Sequence, residues 1–219
     1  MNSHRTIVIA CAIVIDELLH ILPKGMDYRI LDVKLHVDTD KLRQTLQKSI
    51  DAEAGKYDSI ILGYGLCSQA IIGVRASGCR LIAPRIDDCI SMFMGSRAKY
   101  KAQHLSHPGT YYLTSGWVKE GDTPFSDYEY TVQRYGKKRA DRVIGIMLAN
   151  YKRLALINTG QHDIDENRVY AKSTAEQFGL MYEELKGSRR LLMKLLKGPW
   201  DEEFVVIESG DTFKYEHFM

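Results

Sequence analysis

The chain has no CxxC pair, no GxGxxG, no GxSxG, no HExxH and no Walker-type phosphate loop in its 219 residues. Each absence removes a recognisable class: the paired-thiol zinc or redox motif, the dinucleotide fingerprint, the hydrolase nucleophile elbow, the zincin helix and the P-loop. There is no apolar run of the roughly 18 residues that a membrane span needs. Charge of neither sign dominates: 30 Lys and Arg against 28 Asp and Glu leave a formal +2. That balance offers no electrostatic reason to expect nucleic acid as a partner. Internal repeats and low-complexity tracts are also missing. The four cysteines, at 11, 67, 79 and 89, all lie in the first half.

What is present is ordinary for a globular protein, with 45% hydrophobic and 26% charged residues. The stretch "MNSHRTIVIACAIVIDELLH" meets Asp16 and Glu17 directly after its apolar run, so it reads as a first strand and helix rather than a leader. Without a disulfide-type framework, the cysteines are expected to be thiols or ligands in a reducing cytoplasm.

Along the first half, short β-branched runs alternate with amphipathic ones. Strands are expected at 6–12, 28–36, 59–64 and 80–84, and helices at 13–22, 38–55, 68–78 and 87–104. The helix at 38–55 has an Asp/Thr start, an apolar stripe at Leu42, Leu46 and Ile50, and Gly55 at its end. In the second half, strands are expected at 109–117, 153–160, 180–187 and 203–210, with helices at 139–152, 163–179 and 188–198. Such alternation predicts an α/β fold: a parallel, Rossmann-like sheet with helices on both faces, and a second, smaller α/β half packed against it. The halves are expected to be 1–107 and 108–219.

In open parallel sheets, ligands bind beyond the carboxyl ends of the strands. There the order of the chain places Cys11 after the first strand, His36 after the second, Cys67 after the third, and Arg85, Asp87, Asp88 and Cys89 after the fourth. Cys79 falls at the opposite edge. Three thiols with an imidazole suit zinc or an iron–sulfur cluster, so Cys11, Cys67, Cys89 and His36 are the candidate ligands. Helix N-termini are expected to lower the pKa of Cys67 and Cys89. Each of these cysteines taken singly could equally be a small buried hydrophobe. Tyr64, between two glycines read as a sharp turn, and Arg85 are candidates for holding a polar or anionic small-molecule ligand. Trp117 could wall a pocket or pack a junction. "MGSRAKY" (94–100) falls within a helix on this reading and is a weaker anion candidate.

The blocks "LGYGLC", "APRIDDCISMFMGSRAKY" and "GTYYLTSGW", with the strand–Cys–helix start and "LHVDTDKLRQTL", resemble the family catalogued as domain of unknown function 1638 over residues 6 to about 117. Cys11, Glu17, His36, Gly63, Tyr64, Gly65, Cys67, Pro84, Arg85, Asp88, Cys89, Gly95, Ser96, Tyr100, Gly116 and Trp117 occupy positions that define that family's pattern. Ala12 stands where the family often has glycine. The resemblance implies a one-carbon setting, because such proteins occur in bacteria and methanogenic archaea near corrinoid-dependent methyl-transfer systems. A corrinoid cofactor and corrinoid methyl-transfer proteins as partners are thus implied by the family alone. Two further functions stay open: a metal-free enzyme using Cys67 or Cys89, and a non-catalytic small-molecule-binding accessory module.

Overall fold

A computed structural model describes residues 5–120, 123–160 and 164–219. In chain order the elements are β1 (Thr6–Cys11), α1 (Ala12–Leu19), β2 (Asp27–Leu31), α2 (Thr39–Glu53), β3 (Ser59–Leu62), β4 (Arg80–Pro84), α3 (Cys89–Met94) and α4 (Arg97–Ser106). Then come β5 (Thr110–Leu113), α5 (Ser115–Glu120), α6 (Pro124–Tyr135), α7 (Lys137–Met147), β6 (Arg153–Asn158), α8 (Ile164–Gln177), β7 (Met181–Lys186), α9 (Arg190–Lys197) and β8 (Phe204–Ile207). The start expected for α8, at Asp163, lies outside the described residues.

The protein is α/β, with two separate sheets. The first has the order β2-β1-β3-β4-β8, parallel throughout except for β8, which runs antiparallel to β4. The second is a parallel sheet of order β5-β6-β7. Two compact units result, residues 1–97 with 189–219, and residues 98–188. Thus α9 and β8, grouped by sequence reading with the second half, return to the first sheet. Pro84 pairs with Phe204 across that return, and the Arg190 guanidinium ties α9 down by bonding Glu203 and the Gly95 carbonyl.

In the first unit β1, β3 and β4 are buried along nearly their whole length. That is why "TIVIAC", "SIIL" and "RLIAP" read as continuous apolar runs rather than as alternation. The stripe of α2 behaves as its spacing predicts: Leu42, Leu46 and Ile50 are fully buried. Asp38 starts that helix by accepting a hydrogen bond from the Lys41 amide at 3.0 Å. In the second unit Leu113, Leu154 and Leu156 from the sheet pack with Phe125, Ile144, Ala171 and Ala175 from the helices.

Three local expectations are corrected. β2 stops at Leu31, and a 3₁₀ helix spans Val33–Val37. Asp32 begins it by accepting from the Lys34 amide, a local bond that competes with continuing the strand. Residues 68–78 hold no α-helix, only a 3₁₀ turn at Cys67–Gln69. The amides of Gly73 and Ala76 are committed elsewhere, to the carbonyls of Phe213 and Asp211, and Gln69 has a left-handed φ of 56°. The helix expected over 87–104 breaks into α3 and α4 at Gly95, where φ is 81°.

Candidate functional site

Each of the three thiols sits where a parallel strand of the first sheet ends. Cys11 closes β1 and precedes α1. Cys67 follows β3 through Gly63–Leu66 and begins the 3₁₀ turn. Cys89 opens α3 after β4 and the Arg85–Asp88 link. The register, Ile9 beside Leu62 and Ile61 beside Ile82, puts these ends on one edge. Cys11 is 3% exposed, while Cys67 and Cys89 are half-buried.

The two glycines beside Tyr64 do not serve a left-handed turn, since neither has a positive φ. They are glycine because their neighbours touch them. A Cβ on Gly63 would lie 2.5 Å from the Ala10 Cβ, and one on Gly65 would lie 2.5 Å from the Ile86 carbonyl oxygen. The Leu66 amide donates to that same oxygen at 3.0 Å. The missing side chains draw the exits of β1, β3 and β4 together.

The thiols lie within electrostatic reach of one another. Burial pushes the Cys67 pKa up to about 12, with the Asp88 carboxylate and Cys11 adding to the rise, while backbone hydrogen bonds at Gly65 and Cys89 oppose it. The Cys89 thiol is raised well above its ordinary value by burial first, then by Cys67, Cys11 and Asp88. The expected lowering by helix N-termini is therefore reversed. The 3₁₀ turn is too short to carry a useful dipole, and desolvation outweighs whatever the single-turn start of α3 supplies. Both thiols are protonated at neutral pH. Among the described residues, no group of three or more His, Cys, Asp or Glu side chains stands in an arrangement that could hold a metal ion.

Beside the thiols, Tyr64 is 2% exposed. Its hydroxyl has no hydrogen-bond partner among the described residues. Burial raises its pKa first, with further contributions from Cys11 and Cys67. A buried hydroxyl left unpaired is costly, and this one stands near Cys11 and Cys67. His36 lies in the 3₁₀ helix, not at a strand end, and stacks on the Tyr64 ring at 6.0 Å between centroids. Its Nδ1 is 2.9 Å from the Val33 carbonyl oxygen, which makes Nδ1 the donor and puts the lone pair of the neutral ring on Nε2. Asp88 caps α3 by accepting from the Ser91 amide at 3.2 Å.

The remaining candidates sit elsewhere. Arg85 lines a cavity with Trp200, Phe204, Lys214 and His217, and none of the three cysteines lines it. Trp117 is a residue of α5 and packs half-buried against the core of the second unit. In "MGSRAKY" the guanidinium of Arg97 is taken by Asp87, at 2.5 and 3.0 Å, and by the Phe218 carbonyl oxygen at 2.7 Å. It is therefore not an open counter-charge. Sequence reasoning missed the contribution of residues 200–217 to this unit, because no local pattern announces that a chain end will return across more than a hundred residues.

No helix among the described residues is long and apolar enough to cross a membrane. Residues 30–196, well over half of the chain, match the family model described as "Protein of unknown function (DUF1638)". The matched span runs past the blocks that end near residue 117, includes Cys67 and Cys89, and begins after Cys11. No curated protein and no solved structure matches the chain.

Proposed function

The chain belongs to the DUF1638 family, and we propose that it binds a metal ion or a metallocofactor at the carboxyl edge of its first sheet. The observation that carries this reading is the convergence of Cys11, Cys67 and Cys89 on the same edge, at the ends of three adjacent parallel strands. Cys11, Cys67 and Cys89 would be thiolate ligands, with His36 Nε2 as a fourth donor. Three soft donors and an imidazole suit zinc or an iron–sulfur cluster better than a hard cation. A thiolate-bound zinc or cluster would supply Lewis-acid or electron-transfer chemistry.

The donor types suit such a group, but among the described residues their side chains do not stand as a metal-holding cluster, so binding would have to draw them together as well as remove their protons. Raised thiol pKa values mean that the site is neutral until a cation arrives. A bound soft cation would displace the protons and offset the cost of burying the thiolates, because it stabilises them directly. The same raised values weigh against Cys67 or Cys89 as a metal-free nucleophile, since attack needs the thiolate. Tyr64, with its unpartnered hydroxyl, would donate to a polar group of the ligand. A reducing cytoplasm would keep the thiols available. The one-carbon and corrinoid setting implied by family resemblance would give the site a methyl-transfer context.

Elemental analysis of anaerobically prepared protein tests the reading. Near-stoichiometric zinc or iron, lost in Cys67→Ser, is the expected result. Iron–sulfur would add a broad visible absorption band at roughly 400 nm, whereas zinc would leave the spectrum featureless. Metal near zero, unchanged by Cys67→Ser, would sink it.

A further inference from the structure

We propose that the cavity between β8 and the C-terminal segment is a binding site for a small organic anion, a carboxylate or phosphate ester with a flat apolar body. Its volume is about 480 Å³, within the range of pockets that enclose small molecules. Arg85, Lys214 and His217 line it, together with Thr212 and a single acidic residue, Asp211. Trp200 and Phe204 supply an aromatic wall.

Arg85 sets this cavity apart. Several arginines of the same unit are spent on carboxylates: Arg97 on Asp87, Arg190 on Glu203 and Arg29 on Glu53. Arg85 has no such ion pair among the described residues, and its buried Nε has no hydrogen-bond partner there. A guanidinium is always charged and presents a planar fork matched to carboxylate and phosphate oxygens. Its link is also fixed in place, because the Arg85 amide donates to the Glu203 carbonyl at 2.8 Å. His217 accepts at Nδ1 from the Lys214 amide at 3.3 Å, which leaves Nε2 to carry the proton of the neutral ring and to donate. The Trp200 Nε1–H is held by the Leu195 carbonyl at 3.0 Å. The indole is thus anchored at its edge. Two cations, Arg85 and Lys214, against one carboxylate favour an anion, and the aromatic residues favour a ligand with a ring over a bare ion.

This inference does not rest on the metal reading, and chelator-treated protein is the right material for its test. Benzoate, phenyl phosphate, inorganic phosphate and benzyl alcohol are titrated by calorimetry, with the Trp200 indole N–H resonance followed in parallel. Benzoate or phenyl phosphate should bind and shift that resonance, and benzyl alcohol should bind at least about tenfold more weakly. Preference between the two anions tells carboxylate from phosphate recognition. Arg85→Gln and, separately, the exposed Lys214→Gln should each weaken binding about tenfold or more, with the melting temperature and circular dichroism of Lys214→Gln unchanged. No binding of either aromatic anion at about 10 mM, equal binding of the neutral alcohol, or equal affinity in both variants would overturn the proposal.

Discussion

Gly65→Ala should destabilise the first unit by about 2 kcal/mol. The new Cβ would lie 2.5 Å from the Ile86 carbonyl oxygen and 2.6 Å from its Cγ1, roughly 1 Å inside ordinary contact. The Cγ1 could rotate away, but the carbonyl belongs to the backbone that leads from β4 to Cys89. Forced overpacking of this kind costs about 1–3 kcal/mol. Moving Ile86 also strains its bond with the Leu66 amide, now 3.0 Å, at a further cost of about 1 kcal/mol. The stiffer unfolded chain returns about 0.4–1 kcal/mol. For a protein of this size the net loss lowers the melting temperature by several degrees. Gly145→Ala is the internal control. Gly145 lies within α7 with no atom near its Cβ position, so alanine there should gain about 0.5–1 kcal/mol. Thermal and urea denaturation of both variants decide the matter. A Gly65→Ala protein that melts with wild type would refute the close-approach account of the glycine pair.

Three further outcomes follow from the same geometry. Because the Cys67 pKa is about 12 and that of Cys89 is raised, metal-free native protein should alkylate slowly at neutral pH, with rates still climbing above pH 10, where an ordinary thiol levels off; Asp88→Asn, which keeps a good cap while removing the carboxylate's charge, should speed labelling without loss of stability, and a cysteine that labels rapidly in wild type would instead favour a thiol enzyme. Tyr64→Phe removes a buried hydroxyl that lacks a partner among the described residues, so the metal-free protein should become about 1 kcal/mol more stable, a result that clear destabilisation in urea melts would contradict. Glu203 is held at about 2 by Arg190 and then Lys194, below an ordinary value of 4.5; its folded pKa is depressed, so the stability it contributes is complete above pH 4.5 and is lost as pH falls towards 2, and Glu203→Gln should flatten that part of the acid-denaturation curve.

The alternation of the fold was legible because β-branched runs buried on both faces look alike wherever they occur. The position of Cys11, Cys67 and Cys89 at strand ends was legible for the same reason, although their role was not. Features that depend on distant partners were hidden. The "SQAIIGV" stretch is apolar enough for a helix, yet its Gly73 amide bonds to Phe213, and the Ala76 amide just beyond it bonds to Asp211. Pairing of β8 with β4 joins Pro84 to Phe204, a contact with no local signature. The pKa of the thiols was misread because a helix start is visible in sequence, whereas desolvation depends on the packed surroundings. Gly63 and Gly65 were read as turn formers because a close approach by Ala10 and Ile86 can be seen only once the strands are assembled.

The central claim is that three thiols at adjacent strand ends become thiolates around a soft cation. Zinc titration of anaerobic, metal-free protein near pH 7.5, by calorimetry in buffers of different ionisation enthalpy, counts the protons released on binding. One zinc per chain with release of about three protons, falling by about one in Cys67→Ser, is the expected result. Absence of binding, or binding with no proton release and no response to Cys67→Ser, would contradict it.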